Sequence, residues 1–261
     1  MDIQKYYRQA AFASLNASII SCIPIFFLTA VFFAMHLSAK YWLYMLPFAL
    51  YSMTSYLLYC LDKRRSIEAF LENPNGKEAS LLEAKTVVLS FLPAPSLRML
   101  IFDRDGKGIG EIRDEKFHLV RWYLPYFLDK LYAKNYGFYN SSGMLQYVFT
   151  LKGKTIEIKN KKGKKISKII EKKMDQPSKS IFAYGENTII MNKSLAFTDY
   201  RFEKENGQPL AILQKGLMPK EWNRRFAKAN IPLFSINHGL SNKEIIHLYA
   251  LLTKIYAYKD H

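Results

Sequence analysis

Four times between Met99 and Leu213 the chain repeats one pattern, as "MLIFDRDGKGIGEI", "YGFYNSSGMLQYVF", "IEIKNKKGKKISKI" and "YRFEKENGQPLAIL". The copies align on Gly106, Gly143, Gly163 and Gly207. Seven residues before the glycine stand Met99, Tyr136, Ile156 and Tyr200, and five before it Ile101, Phe138, Ile158 and Phe202. Six residues after it stand Ile112, Phe149, Ile169 and Leu213. Apolar residues two apart on an incoming strand place one face of that strand against a core. The polar triplet supplies a turn, and glycine takes the positive φ that hairpin loops require. The pattern predicts four β-hairpins built to one register.

Short alternating runs predict further strands at Thr86–Ser90, His118–Leu124, Ser180–Tyr184 and Thr188–Met191, about a dozen in all. The chain then reads "LSNKEIIHLYALLTKIYAY". Ser241 and Glu244 have the spacing of a capping box, so a helix starts there. From Ile245 to Tyr256 it is apolar almost all round, which implies burial on every side, and it is too short to cross a bilayer.

Many antiparallel hairpins followed by one such helix resemble the tubby C-terminal-like superfamily, which includes tubby domains, phospholipid scramblases and LURP-one-related proteins. The resemblance spans Leu81 to Tyr258 and is carried by "MLIFDRDGKGIGEI", the hairpin rhythm and "EIIHLYALLTKIYA". It implies a β-barrel wrapped around a central C-terminal helix, with anionic-lipid binding as the carried-over activity. No pocket residue of that family can be matched in this chain. Scrambling does not carry over, because the apolar segments here are N-terminal. A pleckstrin-homology-like barrel, which also ends in a helix but has about half as many strands, is the alternative fold.

The start of the chain is of another kind. No charged residue lies between Arg8 and Lys40, and a second uncharged run covers Tyr41–Leu61. Each is near the ~20 residues that cross a bilayer as a helix. Pro24 and Pro47 fall inside them, as membrane helices tolerate. The spacing predicts a two-span helical hairpin over 1–61, a polar linker with a short helix over 62–85 and a mainly-β domain over 86–261. Lys5 and Arg8 before the first run and "DKRR" after the second put both termini in the cytosol by the positive-inside rule. Lys63, Arg64, Arg65 and Trp42 are then membrane-interface residues. Neither run carries an Asp, Glu, Lys or Arg, which argues against a transport path.

Chemistry is sparse. Cys22 and Cys60 both lie in the apolar runs, so there is neither a disulfide framework nor a thiolate metal site beyond them. Aligning Gly106 with the glycine of a calcium loop puts Ile101 and Ile112 at ligand positions, so "DRDGKGIGEIRDE" reads as a turn. The five histidines lack metal-ligand spacing, and His247 reads as a satisfied core group. No nucleophile motif or paired carboxylates appear. The expectation is a non-enzymatic domain without a cofactor.

What remains is charge. The formal net charge is +16, which points to an anionic partner without naming it. The densest cluster contains Lys159, Lys161, Lys162, Lys164, Lys165 and Lys168, and "KEWNRRFAK" adds Arg224 and Arg225 beside Trp222. A domain tethered beside the inner leaflet would use such residues on anionic phospholipids, at ~1 kcal/mol per basic residue near the surface. An unidentified membrane or cytosolic protein is the competing partner. Nucleic acid is disfavoured, since no helix-turn-helix, RNA-recognition or zinc signature is present.

Overall fold

The computed structural model describes residues 1–36, 38–69, 81–94, 96–115, 133–172, 178–194, 199–216, 222, 225–228 and 230–257. They form two compact units, Asp2–Phe70 and, with Met1, Leu71–His261.

The larger unit is a closed antiparallel barrel of twelve strands among the described residues. In chain order these are β1 (Thr86–Phe91), β2 (Arg98–Phe102), β3 (Gly108–Asp114), β4 (Lys134–Asn140), β5 (Leu145–Lys152) and β6 (Thr155–Asn160). They continue as β7 (Lys165–Lys172), β8 (Lys179–Tyr184), β9 (Asn187–Lys193), β10 (Tyr200–Lys204), β11 (Pro209–Lys215) and β12 (Pro232–Ile236). Each strand pairs with its neighbours in sequence, and β12 returns to β1 through Thr86↔Ser235 and Val88↔Leu233. That closure removes the sheet edges. A pleckstrin-homology-like barrel does not fit this strand number.

The four repeats are four of these hairpins. Met99 faces Ile112, Tyr136 faces Phe149, Ile156 faces Ile169 and Tyr200 faces Leu213. All twelve aligned apolar residues are buried. Gly106, Gly143, Gly163 and Gly207 have φ of 81°, 74°, 78° and 79°. Each glycine N–H donates to the carbonyl three residues earlier, and each hairpin has a register shift just before its turn. This is a type I turn closed by a glycine bulge, which adds twist and helps a flat ladder curl into a ring.

Helix α3 (Asn242–Ala257; α1 and α2 are described below) starts as its capping box predicts. The Ser241 amide donates to Glu244 Oε2 at 2.8 Å, and the Glu244 amide donates to Ser241 Oγ at 3.3 Å. Ile245 through Thr253 are buried without interruption. Tyr249 packs on Phe138 of β4 and Phe234 of β12 at 5.0 and 5.9 Å, Tyr256 on Phe91 of β1 at 4.6 Å, and His247 on Tyr184 of β8 at 4.3 Å. Tyr249, Tyr256, Phe138, Phe234 and Tyr184 belong to one apolar cluster with the inward faces of the strands, and Phe91 packs against it.

Two predicted elements need comment. His118–Leu124 lies outside the described residues. Strand β12 is absent from the sequence reading, because it is short, opens on Pro232 and lacks the glycine turn of the repeats.

The smaller unit holds α1 (Ile3–Ala34), a 3₁₀ segment (Ala39–Met45) and α2 (Leu46–Glu68). Among the described residues α1 alone is long and apolar enough to cross a membrane by length and composition. The second predicted span is divided: Tyr41–Met45 lies in the 3₁₀ segment, so only Leu46–Leu61 of α2 is free of charge. That stretch rises roughly 24 Å at ~1.5 Å per residue, short of the ~30 Å hydrocarbon core. Pro47 sits in the first turn of α2, where its missing N–H costs nothing, rather than inside a span. The helix then runs on through Asp62–Glu68, so the charged segment is helical and continuous with the apolar one.

A Cβ at Gly163 would meet nothing within 4 Å, so alanine there is penalised by backbone strain alone. Gly163→Ala is expected to cost about 1 kcal/mol in chemical denaturation. Leu248→Ala, at a fully buried helix position, should cost about 3 kcal/mol. A glycine variant as stable as the parent would disprove the strained-turn account.

Candidate functional site

The lysine-rich repeat is the β6–β7 hairpin. Asn160 Oδ1 accepts from the amides of Lys162 and Lys164 at 3.0 and 2.9 Å, and Gly163 N–H donates to the Asn160 carbonyl at 2.9 Å. The turn backbone is thus tied inward while Lys161, Lys162 and Lys164 are exposed. Along β7 the alternation is regular. Ile166, Lys168, Ile170 and Lys172 are exposed, whereas Ser167, Ile169 and Glu171 are buried or half-buried.

Charge pairing sorts these lysines. Lys165 Nζ lies 2.8 Å from Glu157 Oε1. That hydrogen bond holds the Glu157 carboxyl below its ordinary range. Lys159 is half-buried and sits across the ladder from Lys165. Among the described residues, Lys161, Lys162, Lys164 and Lys168 have no carboxylate within ion-pair distance. Beside them Ile166 and Ile170 are 43% and 44% exposed. The sequence reading passed over both isoleucines, yet the repeat contains the signal. Alignment puts Ile169 on the inward parity, which turns Ile166 and Ile170 outward.

The second cluster behaves differently. Arg224 lies outside the described residues. Arg225 is only 11% exposed; its Nη1 donates to the Arg104 carbonyl at 2.9 Å and stands 3.7 Å from Asp105. It ties down the β2–β3 turn instead of offering a free cation. The β2–β3 turn is closed by its own carboxylate: Asp103 Oδ1 accepts from the amides of Asp105 and Lys107 at 2.9 and 2.8 Å. Among the described residues no group of three or more His, Cys, Asp or Glu could hold a metal ion.

The "DKRR" stub is also partly neutralised. Arg65 pairs with Asp62 at 2.9 Å and Arg64 pairs with Glu68. Lys63 is exposed, 5.4 Å over the Tyr59 ring. Trp42 is 44% exposed and stands edge-on to Phe33 at 5.9 Å.

One buried histidine is also strongly perturbed. His247 is 1% exposed; its Nε2 lies 2.9 Å from Ser167 Oγ, and its Nδ1 has no hydrogen-bond partner among the described residues. Burial, with help from Lys243, lowers its pKa to about 4. The imidazole is therefore neutral at physiological pH. Nearby, burial works to raise the Glu244 carboxyl, but Lys204 and Ser241 hold it below its ordinary range.

No protein-family model matches the chain, and no curated protein matches it. Among solved structures it is similar to a protein of Arabidopsis thaliana at 10% identity and a TM-score of 0.41, over 66% of this chain and 92% of that one.

The folded pKa of His247 lies below its ordinary value of 6.5. The unfolded chain then binds the extra proton first, and stability falls as pH drops below about 6.5. Between pH 7 and 4.5 this single group should remove on the order of 2–3 kcal/mol. The carboxylates held low, Glu157 and Glu244, act only below that window. Urea unfolding across this range should show the slope, and His247→Gln should flatten it. An unchanged slope in the variant would mean that other groups carry the acid sensitivity.

Proposed function

We propose that the protein is a membrane-anchored, non-enzymatic module whose barrel leans on anionic phospholipid head groups at the inner leaflet. In this reading α1 and the segment Tyr41–Leu61 both cross the bilayer, and both termini are cytosolic. The barrel is of the tubby C-terminal-like kind, wrapped around α3.

One observation carries the lipid contact. The β6–β7 hairpin offers Lys161, Lys162 and Lys164, exposed and without an ion-paired carboxylate among the described residues, and exposed Lys168 across the ladder from Glu157, beside exposed Ile166 and Ile170. Lysines attract anionic head groups at ~1 kcal/mol each near the surface, and an apolar side chain among them can enter the interfacial layer. Lys165 contributes less, since Glu157 already occupies it.

The anchor is supported by apolar exposure. Ile19, Ile20, Ile23, Phe26 and Phe27 on α1 are 58–74% exposed. The same exposure continues through Leu43 and Tyr44 of the 3₁₀ segment to Leu57, Leu58 and Leu61 of α2. Water-facing surfaces of soluble proteins do not carry contiguous apolar patches of this extent, whereas lipid tails cover them without cost. Within the pair, Ser18 and Ser52 hydroxyls meet at 3.1 Å and Cys22 Sγ lies 3.3 Å from Ser52 Oγ, the small polar packing used between membrane helices.

The test uses the Leu71–His261 unit, whose ring closes on itself around its own core. Sedimentation with anionic vesicles should show binding that neutral vesicles do not, and it should weaken as salt shortens the ~8 Å screening length. Exchanging Lys161, Lys162, Lys164 and Lys168 for Glu should reduce that binding at least tenfold and leave the circular-dichroism melt unchanged. Equal binding by the variant removes this hairpin from the proposal. Failure of the parent unit to bind either vesicle removes lipid binding by the barrel and favours a protein partner.

A further inference from the structure

The helical unit has a cationic groove of its own. Three contacts set the alignment of its helices: Gln4 Nε2 donates to the Ala69 carbonyl at 2.8 Å, Ser18 meets Ser52, and Thr29 Oγ1 lies 3.7 Å from Met45 Sδ. As one residue number rises the other falls, which makes α1 and α2 antiparallel and brings Arg8 level with Lys63. Between them lies a cavity of about 310 Å³. Arg8 and Lys63 supply two cations, Tyr59 and Ser66 supply hydroxyls, and Ala11, Phe12 and Ile67 form an apolar wall.

Three features make this a site rather than a gap. First, charge is uncompensated: Arg64 and Arg65 have carboxylate partners, whereas among the described residues Arg8 and Lys63 have none. Two cations facing one cavity repel unless an anion lies between them. Second, the donors suit a phosphate. A guanidinium gives two parallel N–H groups, an ammonium adds a third direction, and the hydroxyls complete the shell. Third, the wall is amphipathic. Phe12 and Ile67 are 57% and 77% exposed, so the groove opens onto apolar surface that continues toward Phe26 and Leu58. A free phosphate would leave that wall in water, but a phospholipid covers it with its chains. The volume equals that of roughly ten water molecules, which accommodates a phosphodiester and its glycerol.

The geometry points to a bound anionic phospholipid, its phosphate held between Arg8 and Lys63 and its chains against Phe12 and Ile67. This inference rests on the reading of α1 and α2 as a membrane anchor and is independent of the barrel's lysine hairpin. It assigns a defined single-lipid site, distinct from diffuse attraction to a charged leaflet.

Native mass spectrometry of the full-length protein in neutral detergent tests it, with phosphatidylglycerol, phosphatidylcholine and glycerol phosphate as probes. The parent should retain one phosphatidylglycerol in preference to phosphatidylcholine, and glycerol phosphate should not displace it. Arg8→Gln with Lys63→Gln should reduce the preference about thirtyfold. Arg8→Lys with Lys63→Arg should keep most of it, which separates loss of charge from loss of fold. The Lys161, Lys162, Lys164 and Lys168→Glu variant should keep it fully. An unaltered preference in the double glutamine variant overturns the site, and so does displacement by glycerol phosphate. Loss in the barrel variant instead transfers the lipid to the other surface. The vesicle experiment on the isolated barrel unit fails or succeeds separately.

Discussion

A ring of twelve antiparallel strands is wider than inward side chains alone can fill, since about eight strands suffice to enclose a side-chain-packed interior. The buried residues of α3 add apolar volume to the cluster that the inward strand faces form. Tyr249 touches β4 and β12, Tyr256 touches β1, and His247 touches β8, so one element supplies contacts to strands far apart around the sheet. An element surrounded in this way can have no polar face, which is why Ile245 through Thr253 are all buried. Its few polar atoms are matched individually: Thr253 Oγ1 donates to the Tyr249 carbonyl at 2.8 Å and Lys254 pairs with Glu171 at 2.7 Å. Nδ1 of His247 is left over, and the helix accommodates it by keeping the ring neutral.

With the inward faces of the strands packed in one apolar cluster with residues of α3, the outer face of the sheet is free to vary. The β6–β7 hairpin shares its inward pattern with the other three repeats and differs in what it shows to solvent. Lysines occupy its turn and alternate with isoleucines along β7. Local pairing then decides which charges are available. Glu157 engages Lys165, Asp105 and the Arg104 carbonyl hold Arg225, and Asp62 and Glu68 take two of the three cations in the last turns of α2. The net charge of +16 already cancels such pairs, so pairing decides which cations carry the excess rather than how large it is. Lys161, Lys162 and Lys164 on one unit, and Arg8 and Lys63 on the other, stand near exposed apolar side chains.

Much of this was legible in the chain, for a definite reason. The hairpins are local: turn, bulge and facing residues lie within fourteen positions of one another, so spacing around a single glycine encodes the whole motif. The capping box at Ser241 is local as well. Reading was weaker where structure depends on partners distant in sequence. The segment Tyr41–Leu61 has the composition of one span, but its first residues wind as a 3₁₀ segment and Pro47 falls in the first turn of the following helix. Arg225 looked like a free cation because its acceptors are more than a hundred residues away.

The sequence by itself determined the elements: four hairpins of one register, an all-apolar terminal helix with its cap, and a long uncharged N-terminal stretch. Periodicity and turn chemistry act over a few residues, so no tertiary information is needed to read them. Only the tertiary structure decided that β12 meets β1 and closes the sheet, since that pairing joins residues about 150 positions apart with no local signal at either end. It also decided which lysines and arginines are neutralised and brought Arg8 level with Lys63. Charge pairing depends on distances of a few ångströms, and those distances exist only once the chain has folded back on itself.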